Sequence, residues 1–305
     1  MIRLSTTGEA TAAVRGARSV DLLAYTLQRG PLLDALESAA LHGAKVRVRL
    51  EGAPFGASAR GFARYNGGIV RELRHCGAEA HLARATAAAR KQPPVHAKAL
   101  VADGTLFLDD RNWGESDFVV TDSDPNAAQE VAAALGGGMP HDASGAAFAL
   151  SKSGALKLEA ELLRHARNGD HVIVESESFG AGNAVYVALD DLAREGCKPR
   201  LIVSAREARN VPERGALARL VRDGADVRVT CATEKFALAG AHAWIGSANA
   251  SLAFGKFDML DWGACTNDAA TVAAARARVE ARWSSAKTFR PKDAGDTTRP
   301  VVRLR

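Results

Sequence analysis

Two stretches of this chain carry residue types suited to a phosphate ester, and they carry them in register. The first supplies His96, Lys98, Asp103 and Asn112; the second supplies Lys235 and the run Gly246-Ser247-Ala248-Asn249. Fourteen residues lead from Lys98 to Asn112, and fourteen from Lys235 to Asn249. With the lysines aligned, Thr233 falls opposite His96, Gly240 opposite Asp103, and Gly246-Ser247 opposite Asp109-Asp110. Each stretch then passes to a strand-like run that opens with an acid, Asp117-Phe-Val-Val and Asp261-Trp-Gly-Ala. Cleaving a phosphodiester takes a nucleophile at phosphorus, cations or donors on the equatorial oxygens, and a proton for the leaving group. An imidazole held neutral with one nitrogen free can be the nucleophile, and lysines with side-chain amides can bind the oxygens. At the paired position the second copy has Thr233, which cannot titrate near neutral pH.

The pattern resembles the phospholipase D superfamily, whose signature reads HxKxxxxD and then GSxN, twice per active site. Either half alone is a short pattern that chance supplies; two in register, in the same order of elements, are far more specific. The first copy departs from it in Asp109-Asp110, where the family has Gly-Ser, and the second lacks the His and the Asp. The resemblance implies an α/β fold of two tandem phospholipase D-like α/β/α sandwich repeats related by a pseudo-twofold axis, with both motif lysines at one cleft. It also implies a metal-independent phosphodiesterase without a cofactor, working through a phosphohistidine at His96. Lys98, Lys235, Asn112, Asn249 and Ser247 would cradle the phosphate. A carboxylate on the second ring nitrogen would hold the imidazole in one tautomer, and Asp117 is the candidate by its place after Asn112, with Asp122 in reserve. Asp261 is read as a strand-end hydrogen-bonder beside the substrate with no imidazole to orient. Asp110, with Asp109, reads equally as a solvated bend or as a specificity element. Asp103 is read as capping a turn with Gly104. In the family the second histidine protonates the leaving alcohol, so Thr233 leaves activity impaired unless a stand-in acid such as Glu234 or His242 reaches the cleft.

These residues need a scaffold, and the chain repeats one. Residues 2–5 read as a strand and 8–17 as a helix. Val20 to Leu27 is a strand-like run closed by Gly30-Pro31, and Leu32 to Leu41 has apolar residues at helical spacing with Gly43 as the stop. Val46 to Leu50 alternates as a half-buried strand does. A glycine-rich loop from Gly52 to Gly61 precedes a helix placed at Ile69 to His75, and Ala80 to Ala83 is a short strand. The second half repeats the order: Val172 to Phe179, Asn183 to Glu195, Arg200 to Ser204, and Arg219 to Val229. A repeat of about 145 residues is too long for a solenoid, whose units run about 20–50, and reads as tandem duplication of one αβ domain. We divide the chain into repeat 1 over 1–140, repeat 2 over 141–288, and a polar, basic tail over 289–305. Trp113 and Trp262 flank the motifs and read as core rather than pocket wall.

Composition narrows the remaining choices. An apolar share of 47% with 25% charged residues is that of an ordinary globular protein. A net charge of +5 favours an anionic partner without requiring nucleic acid. The four cysteines stand far apart and make neither a metal pattern nor a disulfide frame. The first 20 residues lack an apolar stretch of signal-peptide length, and no apolar run approaches the ~18–20 residues that span a bilayer. The expectation is a soluble, cytoplasmic monomer that meets a membrane surface transiently if its diester is a phospholipid. A phospholipid head group leads as substrate, a nucleic-acid strand comes second, and a phosphate- or phospholipid-binding module with impaired catalysis is the reading from another class.

Overall fold

The computed structural model describes residues 1–54, 59–84, 92–140, 147–167, 169–231, 234–251 and 258–290. Thr233, most of the loop ahead of His96, the segment just after Pro140 and the basic stretch from 291 lie outside the described residues.

The first half runs β1 (Ile2–Ser5), α1 (Thr7–Gly16), β2 (Ser19–Ala24), α2 (Pro31–Leu41), β3 (Lys45–Glu51), α3 (Ala59–His75), β4 (Glu79–Ala83), β5 (Lys98–Ala102), β6 (Thr105–Asp109), β7 (Val119–Asp122) and α4 (Pro125–Ala134). The second runs β8 (Phe148–Ser151), α5 (Lys152–Arg164), β9 (Val172–Ser176), α6 (Ala184–Arg194), β10 (Arg200–Ser204), α7 (Val211–Asp223), β11 (Asp226–Thr230), β12 (Phe236–Ala239), β13 (His242–Gly246), β14 (Leu260–Thr266), α8 (Ala269–Ser285) and the short β15 (Lys287–Thr288).

The first sheet has the order β1-β7-β6-β5-β2-β3-β4. The second, read from its far edge, is β8-β14-β13-β12-β9-β10-β11, followed by β15. The two orders match strand for strand. In each, three strands joined by helical crossovers are parallel and the motif hairpin, β5-β6 or β12-β13, is antiparallel. Helices α1 to α3 share a core with one face of the first sheet, built on Val20, Leu22, Leu33, Leu36, Ile69 and Leu73. Helices α5 to α7 do the same for the second sheet through Leu163, Leu189, Leu217 and Leu220. A third core joins the inner faces of both sheets, with Phe118, Val131, Phe236, Trp262, Val279 and Trp283, so α4 and α8 lie between the repeats. Each repeat is thus an α/β/α layer set, and the repeats meet at their sheets.

Local chemistry sets the element ends. Thr6 and Glu9 form a reciprocal capping box at α1, Ser151 caps α5, and Asp268 caps α8. Gly43 and Gly77 follow α2 and α3 in the left-handed conformation, with φ of 88° and 96°, as the stop signals predict. Asp103 accepts hydrogen bonds from the Arg18 and Ser19 backbone at 2.9–3.1 Å in the turn with Gly104.

The structure corrects three boundaries. Helix α3 starts at Ala59 rather than Ile69 and runs through Gly61, Gly67 and Gly68. Each interior glycine costs about 1 kcal/mol against alanine, but burial of Ile69, Val70 and Leu73 and the Asn66 side chain offset that. Asn66 donates to the Tyr25 and Glu51 carbonyls at 2.8 Å and accepts from Thr26 at 3.0 Å, fastening the helix to two strand ends. Strand β9 stops at Ser176, and Ser178 turns out of the sheet to reach Asn249. Phe289 is not part of a loose tail: it is 8% exposed, joins the second-half core, and donates to the Val227 carbonyl at 2.9 Å. Among the described residues no helix is long and apolar enough to cross a membrane, and the four cysteines are free.

Candidate active site

Lys98 opens β5 and pairs across the ladder with Ala24 at the end of β2; Lys235 immediately precedes β12, beside the end of β9. The matching topology therefore delivers both lysines to corresponding strand ends. Both are buried, at 2% and 4% exposure. They are close enough that Lys235 is, after burial, the main cause that lowers the Lys98 ammonium from its ordinary 10.5 to about 8. The residue after each central strand meets its lysine. Lys98 Nζ lies 5.8 Å from the Tyr25 ring centroid, and Lys235 Nζ lies 3.7 Å from Glu177.

His96 is fixed by the other repeat. The backbone N–H groups of His96 and Ala97 donate to the Leu260 carbonyl at 2.8 and 2.6 Å, and the Leu260 N–H donates to Pro94 at 2.8 Å. This bridge lays the motif segment along β14 and brings His96 Nδ1 to 2.7 Å from Asp261 Oδ1. Ser247 Oγ donates to the same carboxylate oxygen at 2.8 Å, and Trp262 N–H donates to Ser247 Oγ at 3.0 Å. Buried Glu51 holds the approach by accepting from the Val95 N–H at 2.7 Å. Lys98 Nζ donates to the His96 carbonyl at 2.5 Å and lies 3.4 Å from each ring nitrogen, so it makes no directional bond to either lone pair. The ring packs edge-on against Tyr25, with centroids 5.1 Å apart.

Electrostatics sets the protonation of the pair. Burial and then the Lys98 cation push His96 below its ordinary 6.5, with Lys235 adding to this and Asp261 opposing. Burial pushes Asp261 up, but the imidazole, Lys152 and Lys98 outweigh it and hold the carboxyl well below the usual range. With lysines beside both groups, the stable state is a neutral imidazole and an ionised carboxylate. Nδ1–H then donates to Asp261, and Nε2 keeps its lone pair.

This overturns the expected carboxylate. Asp117 does not touch His96: its Oδ2 accepts from the Asn112 and Gly114 backbone at 3.1 and 2.7 Å, and its Oδ1 pairs with Arg111 at 2.7 Å. Asp122 is engaged by the Met1 ammonium at 2.9 Å and by Asp124 N–H. Asp261, expected to have no imidazole to orient, is the residue that orients one. The signal was in the alignment of Asp117 with Asp261: of the two matched acids, the one from the second half faces the first half's motif.

The corresponding place in the first half is built differently. Phe118 N–H donates to Asp110 Oδ1 at 2.9 Å, as Trp262 donates to Ser247, so Asp110 stands where Ser247 stands. Asp109 accepts from Trp113 N–H at 2.5 Å, and its carbonyl accepts from Trp262 Nε1 at 2.9 Å. Asp109 Oδ1 and Asp110 Oδ2 are buried and have no hydrogen-bond partner among the described residues. Burial first, then Asp110 and Asp117, push Asp109 well above the carboxylate range; burial and then Glu234 push Asp110 to about 7. Asp109-Asp110 is therefore no solvated bend. Asp109, Asp110 and Asp117 each offer an oxygen within 4.8 Å of the others, the spacing of a cation site, but Arg111 already brings a cation to Asp117. Glu234, proposed as a stand-in acid, has its Oε1 engaged by Arg278 at 2.7 Å and Arg282 at 2.5 Å. His242 stands at the opposite end of the β12–β13 hairpin from Lys235. Trp113 and Trp262 are buried in core clusters.

Asn249 accepts from the Ser178 N–H at 3.4 Å, beside Lys235 and Glu177. The Asn112 Oδ1 is buried without a partner among the described residues. Gly246 has no room for a side chain: a Cβ there would lie 2.6 Å from the Trp244 ring and from the Trp262 carbonyl. A residue that the sequence reading passed over is Lys152, at the start of α5. It is 5% exposed and close enough to Asp261 and Lys235 for each to act on its charge.

The chain matches no protein-family model and no curated protein sequence. Among solved structures it is similar to phosphatidylserine synthase of Haemophilus influenzae Rd KW20, at 10% identity and a TM-score of 0.66, over 97% of this chain and 89% of that one. It is similar also to polyphosphate kinase from Porphyromonas gingivalis, at 15% identity and a TM-score of 0.64. That match covers 93% of this chain and 47% of the kinase, so this chain spans about half of the kinase's length. Nuc from Salmonella typhimurium, a phospholipase D family member, matches 44% of this chain and 90% of its own at 16% identity, with a TM-score of 0.40. The likeness is one of fold, and the fold is the two-repeat phospholipase D-like α/β architecture that the paired motifs imply.

Proposed function

We propose that this protein is a phosphodiesterase that hydrolyses or transfers a phosphodiester through a phosphohistidine at His96. The observation that carries this is the hydrogen bond from His96 Nδ1 to Asp261, which leaves Nε2 unprotonated beside buried Lys98, with Lys235 close enough to act on the ring's charge. In the first step the Nε2 lone pair forms an N–P bond, the P–O bond to the leaving alcohol breaks, and the alcohol departs with its electron pair. In the second, water or another alcohol attacks phosphorus, the N–P bond breaks, and Nε2 regains its lone pair. Asp261 stabilises the imidazolium of the intermediate. Lys98 and Lys235 balance the charge on the equatorial oxygens, with Ser247, Asn112 and Asn249 completing the cradle. A phospholipid head group is the leading diester and a nucleic-acid strand the second; with a phospholipid, the protein meets the membrane surface transiently.

Thr233 stands where the resemblance places a second histidine, so the two steps differ in their need for a proton. General acid–base catalysis is worth about 10²–10⁴-fold. A nitrophenolate leaves unprotonated, whereas the attacking water must lose a proton. The test is rapid mixing with bis(4-nitrophenyl) phosphate followed by intact-mass spectrometry. The expected result is a burst of about one equivalent of nitrophenol and a nitrophenylphosphoryl adduct on His96, then slow turnover. His96→Ala abolishes both. Absence of a burst and adduct in the wild type would leave a phosphate-binding module instead.

A further inference from the structure

The cleft holds a third buried ammonium. Lys152 sits in the first turn of α5, and its backbone N–H donates to the Met259 carbonyl at 2.9 Å. Its side chain is 95% buried, yet among the described residues its Nζ has a single hydrogen-bond partner, Ser251 Oγ, at 3.5 Å. An ammonium carries three donors, and removing it from water without acceptors is costly. Asp258 does not close the gap: it accepts from the Ser153 backbone and hydroxyl at the α5 N-terminus.

Where Lys152 sits relative to the cradle indicates what it binds. Asn249 accepts from Ser178 N–H, Ser178 Oγ donates to Ser251 Oγ at 3.0 Å, and Ser251 Oγ accepts from Lys152. Ser178, Ser251 and Lys152 thus form one hydrogen-bonded chain that starts at Asn249. All three are donors suited to tetrahedral anions. We infer that Lys152, Ser251 and Ser178 form a second phosphate subsite next to the scissile position, so the substrate carries a diphosphate rather than a lone phosphodiester. The inference deepens the proposed reaction and rests on Lys235 and Asn249 holding the first phosphate. A single bridging oxygen, not a long spacer, fits two donor groups that touch.

Binding to inorganic pyrophosphate and to orthophosphate, measured by calorimetry at one pH and ionic strength, tests this without turnover. The intact chain should bind pyrophosphate at least about tenfold more tightly than orthophosphate. Lys152→Met keeps the volume of the side chain and removes its charge, and should cut the preference to about threefold or less while changing orthophosphate affinity little. Lys152→Arg should retain part of the preference. If Lys152→Met does not fold, Ser251→Ala should still lower the ratio. A ratio near one in the wild type, or an unchanged ratio in every variant, overturns the subsite. The same ratio measured on His96→Ala separates the two readings: a retained preference with no burst in the wild type removes the enzyme and leaves the subsite. A burst with no preference does the reverse.

Discussion

The two halves of the cleft occupy equivalent positions in matching sheets and do opposite things with their charge. On one side Asp261 receives a hydrogen bond from His96 and another from Ser247. On the other, Asp110 replaces the serine, so Asp117 has no hydroxyl donor to accept from and leans on Arg111 instead. Burial first pushes both Asp109 and Asp110 up, with Asp110 next acting on Asp109 and Glu234 next on Asp110, and each keeps an oxygen that finds no partner among the described residues. Arg111, Arg278 and Arg282 converge on Glu234 next to them. Arg278 also donates to the Ser116 carbonyl at 2.9 Å, so a salt-bridge network links the halves there, where the Leu260 bridge and an imidazole link them on the other side. One framework supports a proton-handling pair in one place and a rigid ionic clasp in the other. The difference lies in a few side chains.

The sharpest test swaps one acid at a time. Asp261→Asn removes the acceptor that sets the His96 tautomer and should lower turnover by about 10³–10⁴-fold, as neutralising a triad aspartate does. Asp117→Asn touches no imidazole and should change turnover by less than about fivefold. Equal losses, read from steady-state rates on an aryl diester, would break the comparison.

A smaller effect follows from restoring the missing group. Thr233→His should speed the slow phase about 10–10²-fold with the aryl diester and leave the burst amplitude alone. Adding Asp110→Ser gives Asp117 the hydroxyl partner that Asp261 has, and should carry the gain further. If the double variant is no faster than Thr233→His, the serine does not matter to the acid beside it.

The pH profile should show several-fold changes. His96 is pushed below 6.5, so the nucleophile is already neutral at pH 7. Lys98, lowered to about 8, loses its proton as pH rises through that value, and the cradle loses a cation. Rates should therefore fall on the alkaline side near pH 8. Lys98→Arg should be slower at pH 7 yet lack that limb, since a guanidinium stays charged. An alkaline limb unmoved in Lys98→Arg assigns it elsewhere.

The smallest expected effect is none. Arg111 already pairs with Asp117 at 2.7 Å and lies 3.8 Å from Asp110, so EDTA should leave turnover unchanged; loss of activity in chelator and its recovery with a divalent cation would show that Asp109, Asp110 and Asp117 hold a metal instead.

How far the sequence reaches can be judged residue by residue. The matched intervals from Lys98 to Asn112 and from Lys235 to Asn249, with the repeated order of strands and helices, determined the duplication and the α/β layers, because a period-two strand and a helical stripe are written locally. Gly43 and Gly77 marked helix ends for the same reason: a left-handed residue is a local requirement. The reach of α3 was not legible, since its glycines argue against a helix and only Asn66, bonded to two distant strand ends, overrides them. The partner of His96 was not legible either. Asp117 follows in the same repeat, but Asp261 lies nearest in space, 165 residues away, because the sheets pack with the motif of one against the last long strand of the other. Lys152 carries no motif at all; only burial beside Asp261 and Lys235, with a single acceptor among the described residues, sets it apart. Backbone periodicity is decided by neighbours in sequence, whereas proton placement and charge balance are decided by what burial removes from water, and that is settled only when the two repeats meet.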